Sequence, residues 1–94
     1  MFKRVLSEMQ RRVKAGRLTL PAHAREAMYD DDLLAADLEH CLLTGEIMTR
    51  QWDEKWSEWK YIVAGESLDD RGIDVVAKLG RNDDTVVITV YVVH

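Results

Sequence analysis

His23-Ala24-Arg25-Glu26 gathers an imidazole, a guanidinium and a carboxylate within four consecutive residues, soon after the only proline, Pro21. A histidine side chain takes and returns a proton near neutral pH, and an arginine holds a phosphate through two parallel N–H bonds. These are parts that an RNA-cleaving site requires: a proton-transfer group, and cations for the charge that develops on the scissile phosphate. Lys78, within Val75-Val76-Ala77-Lys78-Leu79, adds a second cation, and the last apolar run carries Thr89 and Tyr91. The same residue types also have plain structural uses. A histidine packs beside a sheet, an arginine pairs with a surface acid, and a lysine faces solvent from a half-exposed strand.

Other chemistries lack their motifs. There is no glycine-rich phosphate loop, His-Glu metal motif, paired-cysteine site or serine elbow. The three histidines, His23, His40 and His94, are scattered, so no spacing suggests a metal centre. Asp30-Asp31-Asp32, Asp69-Asp70 and Asp83-Asp84 read as solvated turn and cap residues. Cys41 is the single cysteine and falls on an apolar helical face, where it reads as a small core residue. Trp52, Trp56, Trp59 and Tyr61 could stack on bases, but large aromatics more often fill cores and interfaces, and a dimer interface is the leading expectation.

The elements that must position these groups follow from hydrophobic periodicity. Phe2, Val5, Leu6, Met9 and Val13 recur at spacings of three and four, which predicts a helix over 2–15 capped by Gly16. Leu18-Thr19-Leu20 reads as an extended link, and Pro21 turns Leu20 away from the helical region. A short helix is expected over 22–29. The three aspartates break it and offer N-caps to a third helix over 35–43, with Leu34, Leu38, Cys41 and Leu42 inward and Gly45 beyond its end. From Glu46 the period falls to about two. Strands are expected over 46–52, 59–66, 73–79 and 85–93, joined by short turns and so forming a four-stranded antiparallel meander. Trp52, Trp56 and Trp59 also fit a helical spacing, but β signals on both sides favour a hairpin. The last strand is apolar on both faces and belongs inside the sheet.

The chain of 94 residues is expected to form a single α+β domain, 1–94. Its apolar share of 47% separates it from disordered sequences. Net charge is −4, without the basic excess usual in nucleic-acid binders, although Lys3, Arg4, Arg11, Arg12, Lys14 and Arg17 crowd the start. No apolar run suits a signal peptide or a membrane span, so no membrane association and a cytoplasmic location are expected.

Several short blocks, taken in order, carry a family resemblance: His23-Ala24-Arg25-Glu26-Ala27-Met28, Leu42-Leu43-Thr44-Gly45-Glu46-Ile47, Lys60-Tyr61-Ile62-Val63-Ala64-Gly65 and Ile88-Thr89-Val90-Tyr91. They resemble a prokaryotic domain-of-unknown-function family with a His-Ala-x-x-Arg-Met signature, distantly similar to the RelE/BrnT-like ribonuclease toxins. The signature's arginine is Ala27 here. The resemblance implies a RelE-like fold and a metal-independent endoribonuclease of a toxin–antitoxin pair, acting on RNA and bound by a cognate antitoxin. On that basis His23 is the expected proton shuttle, Arg25 and Lys78 the phosphate contacts, and Tyr91 an orienting or stacking residue. No cofactor is needed, because the RNA 2′-hydroxyl serves as nucleophile. The alternative is a non-catalytic interaction or homodimerisation module built on the aromatic residues.

Overall fold

The computed structural model describes residues 1–94. Three helices, α1 (Lys3–Lys14), α2 (Ala22–Asp30) and α3 (Ala35–Thr44), accompany five strands: β1 (Leu18–Thr19), β2 (Glu46–Asp53), β3 (Glu58–Glu66), β4 (Gly72–Leu79) and β5 (Thr85–Val92). The sheet order is β1-β5-β4-β3-β2. The expected meander is present as β2 to β5, antiparallel throughout, but the sheet is five-stranded and mixed, because β1 pairs in parallel with β5. Two residues are too few for any periodicity to register. Tertiary pairing makes the strand: Thr85 donates its N–H to the Arg17 carbonyl at 2.8 Å, and Leu18 and Thr19 then lie beside Thr85 and Val86.

Alternation decides which side of the sheet is buried. Tyr61 and Val63 of β3, Ile73, Val75 and Ala77 of β4, and Val87 and Val90 of β5 pack with Met9, Val13, Ala24, Met28, Leu38, Cys41 and Leu42 of the helices. A bulge at Ile88 keeps β5 in phase, so that Val87 and Val90 both reach this core. The opposite face carries Asp74, Val76 and Lys78 of β4 with Val86, Thr89 and Tyr91 of β5. The tryptophan segment forms the β2–β3 hairpin, with Trp52 opposite Trp59.

Capping differs from the aspartate expectation. The N-cap of α3 is Leu34, in extended backbone (φ −109°, ψ 161°), so its side chain leaves the helical phase and stands 65% exposed while Leu33 is buried. The cap comes instead from Asp37, whose carboxylate accepts the Leu34 N–H at 2.8 Å and the Leu68 N–H at 2.9 Å. At the other end of α3, Gln10 of α1 donates its amide to the Leu42 and Leu43 carbonyls, each at 3.2 Å. Helix α1 closes on Gly16 (φ 76°), with Gly16 N–H on Val13 and Arg17 N–H on Arg12 in the paired bonds of a Schellman cap.

The clustered charges at the start of the chain serve the fold. Arg12 donates to the Gly80 and Asp84 carbonyls at 3.1 and 2.7 Å, pinning the β4–β5 turn. Arg11 bridges Glu8 and Asp83, and Arg17 lies 3.7 Å from Asp83. Hydrogen bonds from Arg11 and then Arg12 hold the Glu8 carboxyl down at about 2, against an ordinary 4.5. A carboxyl depressed in the folded chain contributes stability above its unfolded value, and that contribution fades as pH falls from about 4.5 through about 2. An NMR titration of the Glu8 side chain is expected to show a midpoint near 2; a midpoint at 4.5 would mean that these pairs do not form in solution.

Candidate functional site

The order of the sheet decides what meets what. In an antiparallel meander, alternate turns lie at the same end, so the β2–β3 turn (54–57) and the β4–β5 turn (80–84) are neighbours. Because β1 runs parallel to β5, it starts at this end too, and Pro21 then launches α2 alongside β5. A cleft forms between these parts. One depression of about 230 Å³ is lined by Pro21 and His23 of the α2 start, Asp53 and Trp56 of the hairpin, and Lys78, Val86, Val87 and Ile88 of β4 and β5. It adjoins a second depression of about 310 Å³, which shares Trp56, Lys78 and Val86 and adds Glu58, Gly80, Arg81, Asn82 and Asp84.

His23 and Lys78 therefore line one cleft, although 55 positions separate them in the chain (78 − 23). His23 is exposed at the N-terminal turn of α2, while Ala24 and Met28 of the same helix are buried. Lys78 points from the outer face of β4 and ion-pairs with Glu58 of β3 at 2.6 Å, both side chains about one quarter exposed. Arg25 does not line the cleft, and its Nη1 donates to the Leu20 carbonyl at 2.8 Å. Tyr91 also lies outside, opposite Asp74 at the far end of the β4–β5 ladder from Lys78 and Val86. Five residues of strand correspond to about 15 Å. Two of the four residues expected to act together thus converge, and two do not.

The cleft also holds Trp56, one of the aromatics whose residue type allowed base stacking, and charged groups that residue patterns alone did not single out for chemistry. Trp56 is 60% exposed at the hairpin turn and borders both depressions. Asp53, which accepts the Trp56 N–H at 3.3 Å, shares the depression that His23 lines. Glu58 and Arg81 complete the other side. Their signal was topological: each sits at a turn on the same end of the meander. Chemically, the cleft combines an imidazole and three carboxylates (Asp53, Glu58 and Asp84), two cations for an anionic ligand, and an indole for stacking.

No group of three or more His, Cys, Asp or Glu lies where it could hold a metal ion. Cys41 is fully buried, and burial, reinforced by the Asp74 charge, pushes its thiol up to about 12. It is a packing residue rather than a nucleophile.

Residues 20–92, which contain the whole of this cleft, match the family model described as domain of unknown function DUF4258. The chain belongs to the DUF4258 family. No curated protein matches it, and no solved structure does. The matched span begins at Leu20, just before α2, and ends with β5, so α1 and β1 lie outside the matched residues. No helix of the chain is long and apolar enough to cross a membrane.

Proposed function

We propose that this DUF4258 chain is a RelE/BrnT-like toxin-type domain, a metal-independent endoribonuclease whose acid–base site is the cleft under Trp56. What supports the reading is the meeting of His23 and Lys78 in that cleft, beside an exposed indole and the Asp53 carboxylate. RNA cleavage of this kind needs no cofactor. The 2′-oxygen attacks the adjacent phosphorus, the bond from phosphorus to the 5′-oxygen breaks, and a 2′,3′-cyclic phosphate and a 5′-hydroxyl result. One group takes the 2′-hydroxyl proton and another gives a proton to the departing 5′-oxygen. His23 is the proton shuttle, with Asp53 as the second proton-transfer group.

Lys78 contacts the phosphate once Glu58 yields its place, so Glu58 competes with the substrate for the same ammonium. Arg25, on the same helix as His23, serves a neighbouring phosphate of an extended strand. Trp56 supplies the stacking surface, a role for which Tyr91 lies too far away. In this reading the domain works in the cytoplasm, and a cognate antitoxin holds it inactive.

Inducible expression of the wild-type chain tests the proposal. Growth arrest with fragmented RNA is the expected outcome. Normal growth with intact RNA would sink it and leave the second reading, a non-catalytic interaction module, which the exposure of Trp52, Trp56 and Trp59 favours.

A further inference from the structure

The sheet has two very unequal edges. On one side β1 contributes only Leu18 and Thr19, and α2 packs against the rest of β5. On the other, β2 runs for eight residues with no strand along its outer side. All of β2 is exposed except Ile47 and Asp53, which are half-buried. Such an edge presents free N–H and C=O groups to any second strand. A bulge at Met48 interrupts its first half, where the pairing with β3 slips between Ile47 and Thr49. Residues 49–53 are regular.

We infer that two copies of this chain pair antiparallel along residues 49–53 of β2, with Gln51 facing the second copy's Gln51 across a two-fold axis. The side chains argue for this partner and this register. Arg50 and Trp52 share the face of Trp59 and Tyr61, whereas Thr49, Gln51 and Asp53 share the other. A two-fold axis at Gln51 sets Arg50 opposite the second copy's Trp52 and Thr49 opposite its Asp53. The middle pair is two amides. One face then gains two reciprocal arginine–tryptophan contacts, and the other two hydroxyl–carboxylate bonds, with no like charges opposed.

The aromatic groups are already arranged for it. Trp52 and Trp59 meet edge-to-face at 5.0 Å, and the Arg50 guanidinium lies 3.8 Å from the Trp59 ring centre. Exposed tryptophan beside arginine is the composition of an interface centre rather than of a solvated strand. Neighbouring symmetric registers fare worse. An axis at Arg50 opposes two guanidiniums, an axis at Trp52 leaves only residues 51–53 of the regular strand paired, and an axis at Thr49 draws the bulged Met48 into the ladder.

The inference holds whether or not the cleft is catalytic, but it bears on it. Asp53 lines the depression that His23 occupies, so each cleft lies at the seam and the second copy's Thr49 reaches one of its lining residues.

Sedimentation of the whole chain, with two cysteine variants and one charge variant, tests the proposal. The wild type is expected at twice the chain mass of 10.9 kDa. Under mild oxidation Gln51→Cys forms a linked dimer, because facing residues of an antiparallel pair have Cα atoms about 4.5–5.5 Å apart, within disulfide reach. Thr49→Cys does not link, because its own counterpart lies about 13 Å away along the seam. Trp52→Lys places a lysine opposite the second copy's Arg50 and weakens the dimer at least tenfold, with an unchanged circular dichroism spectrum. A wild type that stays monomeric at the highest concentration, equal linking by the two cysteine variants, or a dimer that survives Trp52→Lys would each overturn it.

Discussion

A Gly45→Ala chain is expected to lose at least about 3 kcal/mol of folding stability and more than about 10 °C in melting temperature. The residue sits where α3 ends and β2 begins, and two segments of backbone close around it. A methyl group built there would stand 2.5 Å from the Ala64 carbonyl oxygen and 2.6 Å from that of Cys41. Both obstacles are main chain, so no side-chain rotation relieves them. The Cys41 carbonyl is already held at 2.7 Å by the Gly45 N–H, and Ala64 is the β3 partner of Glu46. Relief therefore means moving the end of α3 off the sheet, with Leu42 and Cys41 of the core on it. Gly72→Ala is the matched control, because a methyl group there meets only ordinary contact with Val93 at 3.9 Å. Thermal unfolding of both variants separates the cases. Melting of Gly45→Ala within a few degrees of wild type would show that the α3–β2 junction can shift cheaply.

Most of the fold was legible because it obeys local rules. Val5, Leu6, Met9 and Val13 mark the inner side of α1 by spacing alone, and the alternation of Asp74, Val76 and Lys78 against Val75, Ala77 and Leu79 assigns the two faces of β4 correctly. The hairpin reading of Trp52 and Trp59 holds because β-branched and aromatic runs flank them on both sides. Failures occurred where a tertiary contact overrides local preference. β1 exists only through Arg17 and Thr85, residues 68 positions apart (85 − 17). Leu34 fits the apolar stripe of α3 by count, yet it precedes the first helical residue and so points outward.

The candidate site was harder for the same reason, compounded by electrostatics. His23 and Lys78 stand out by residue type, but nothing local announces that they share a cleft, since the rest of α2, all of α3, β2 and β3, and most of β4 intervene. Tyr91 looks equally suitable in one dimension and lies at the wrong end of its strand. The basic N-terminal cluster looks like a nucleic-acid surface when counted. In three dimensions Arg11, Arg12 and Arg17 converge on Glu8 and Asp83, so much of that charge is neutralised where it stands. What remains for an anionic ligand is Lys78 and Arg81 in an otherwise acidic cleft, a balance that only the placement of Asp53, Glu58 and Asp84 reveals.

Purified His23→Ala protein is expected to cleave single-stranded RNA about 10²–10⁴-fold more slowly than the wild type, with the same melting temperature. The two halves of that statement rest on different observations. His23 is exposed, and the burial of α2 is carried by Ala24 and Met28, so losing the ring removes no packing. Its place beside Asp53 and Lys78 is what makes the rate sensitive, because a proton-transfer group counts only where the scissile bond is held. Lys78→Ala is expected to slow cleavage about 10²-fold through the lost phosphate contact, but it also leaves Glu58 without its partner. The double variant Lys78→Ala with Glu58→Gln removes that second effect. A rate that stays low in the double variant assigns the loss to the missing cation rather than to an orphaned carboxylate. Wild-type cleavage by His23→Ala would remove the proton-shuttle role outright, and a slowed rate accompanied by a lower melting temperature would make His23 a structural residue instead.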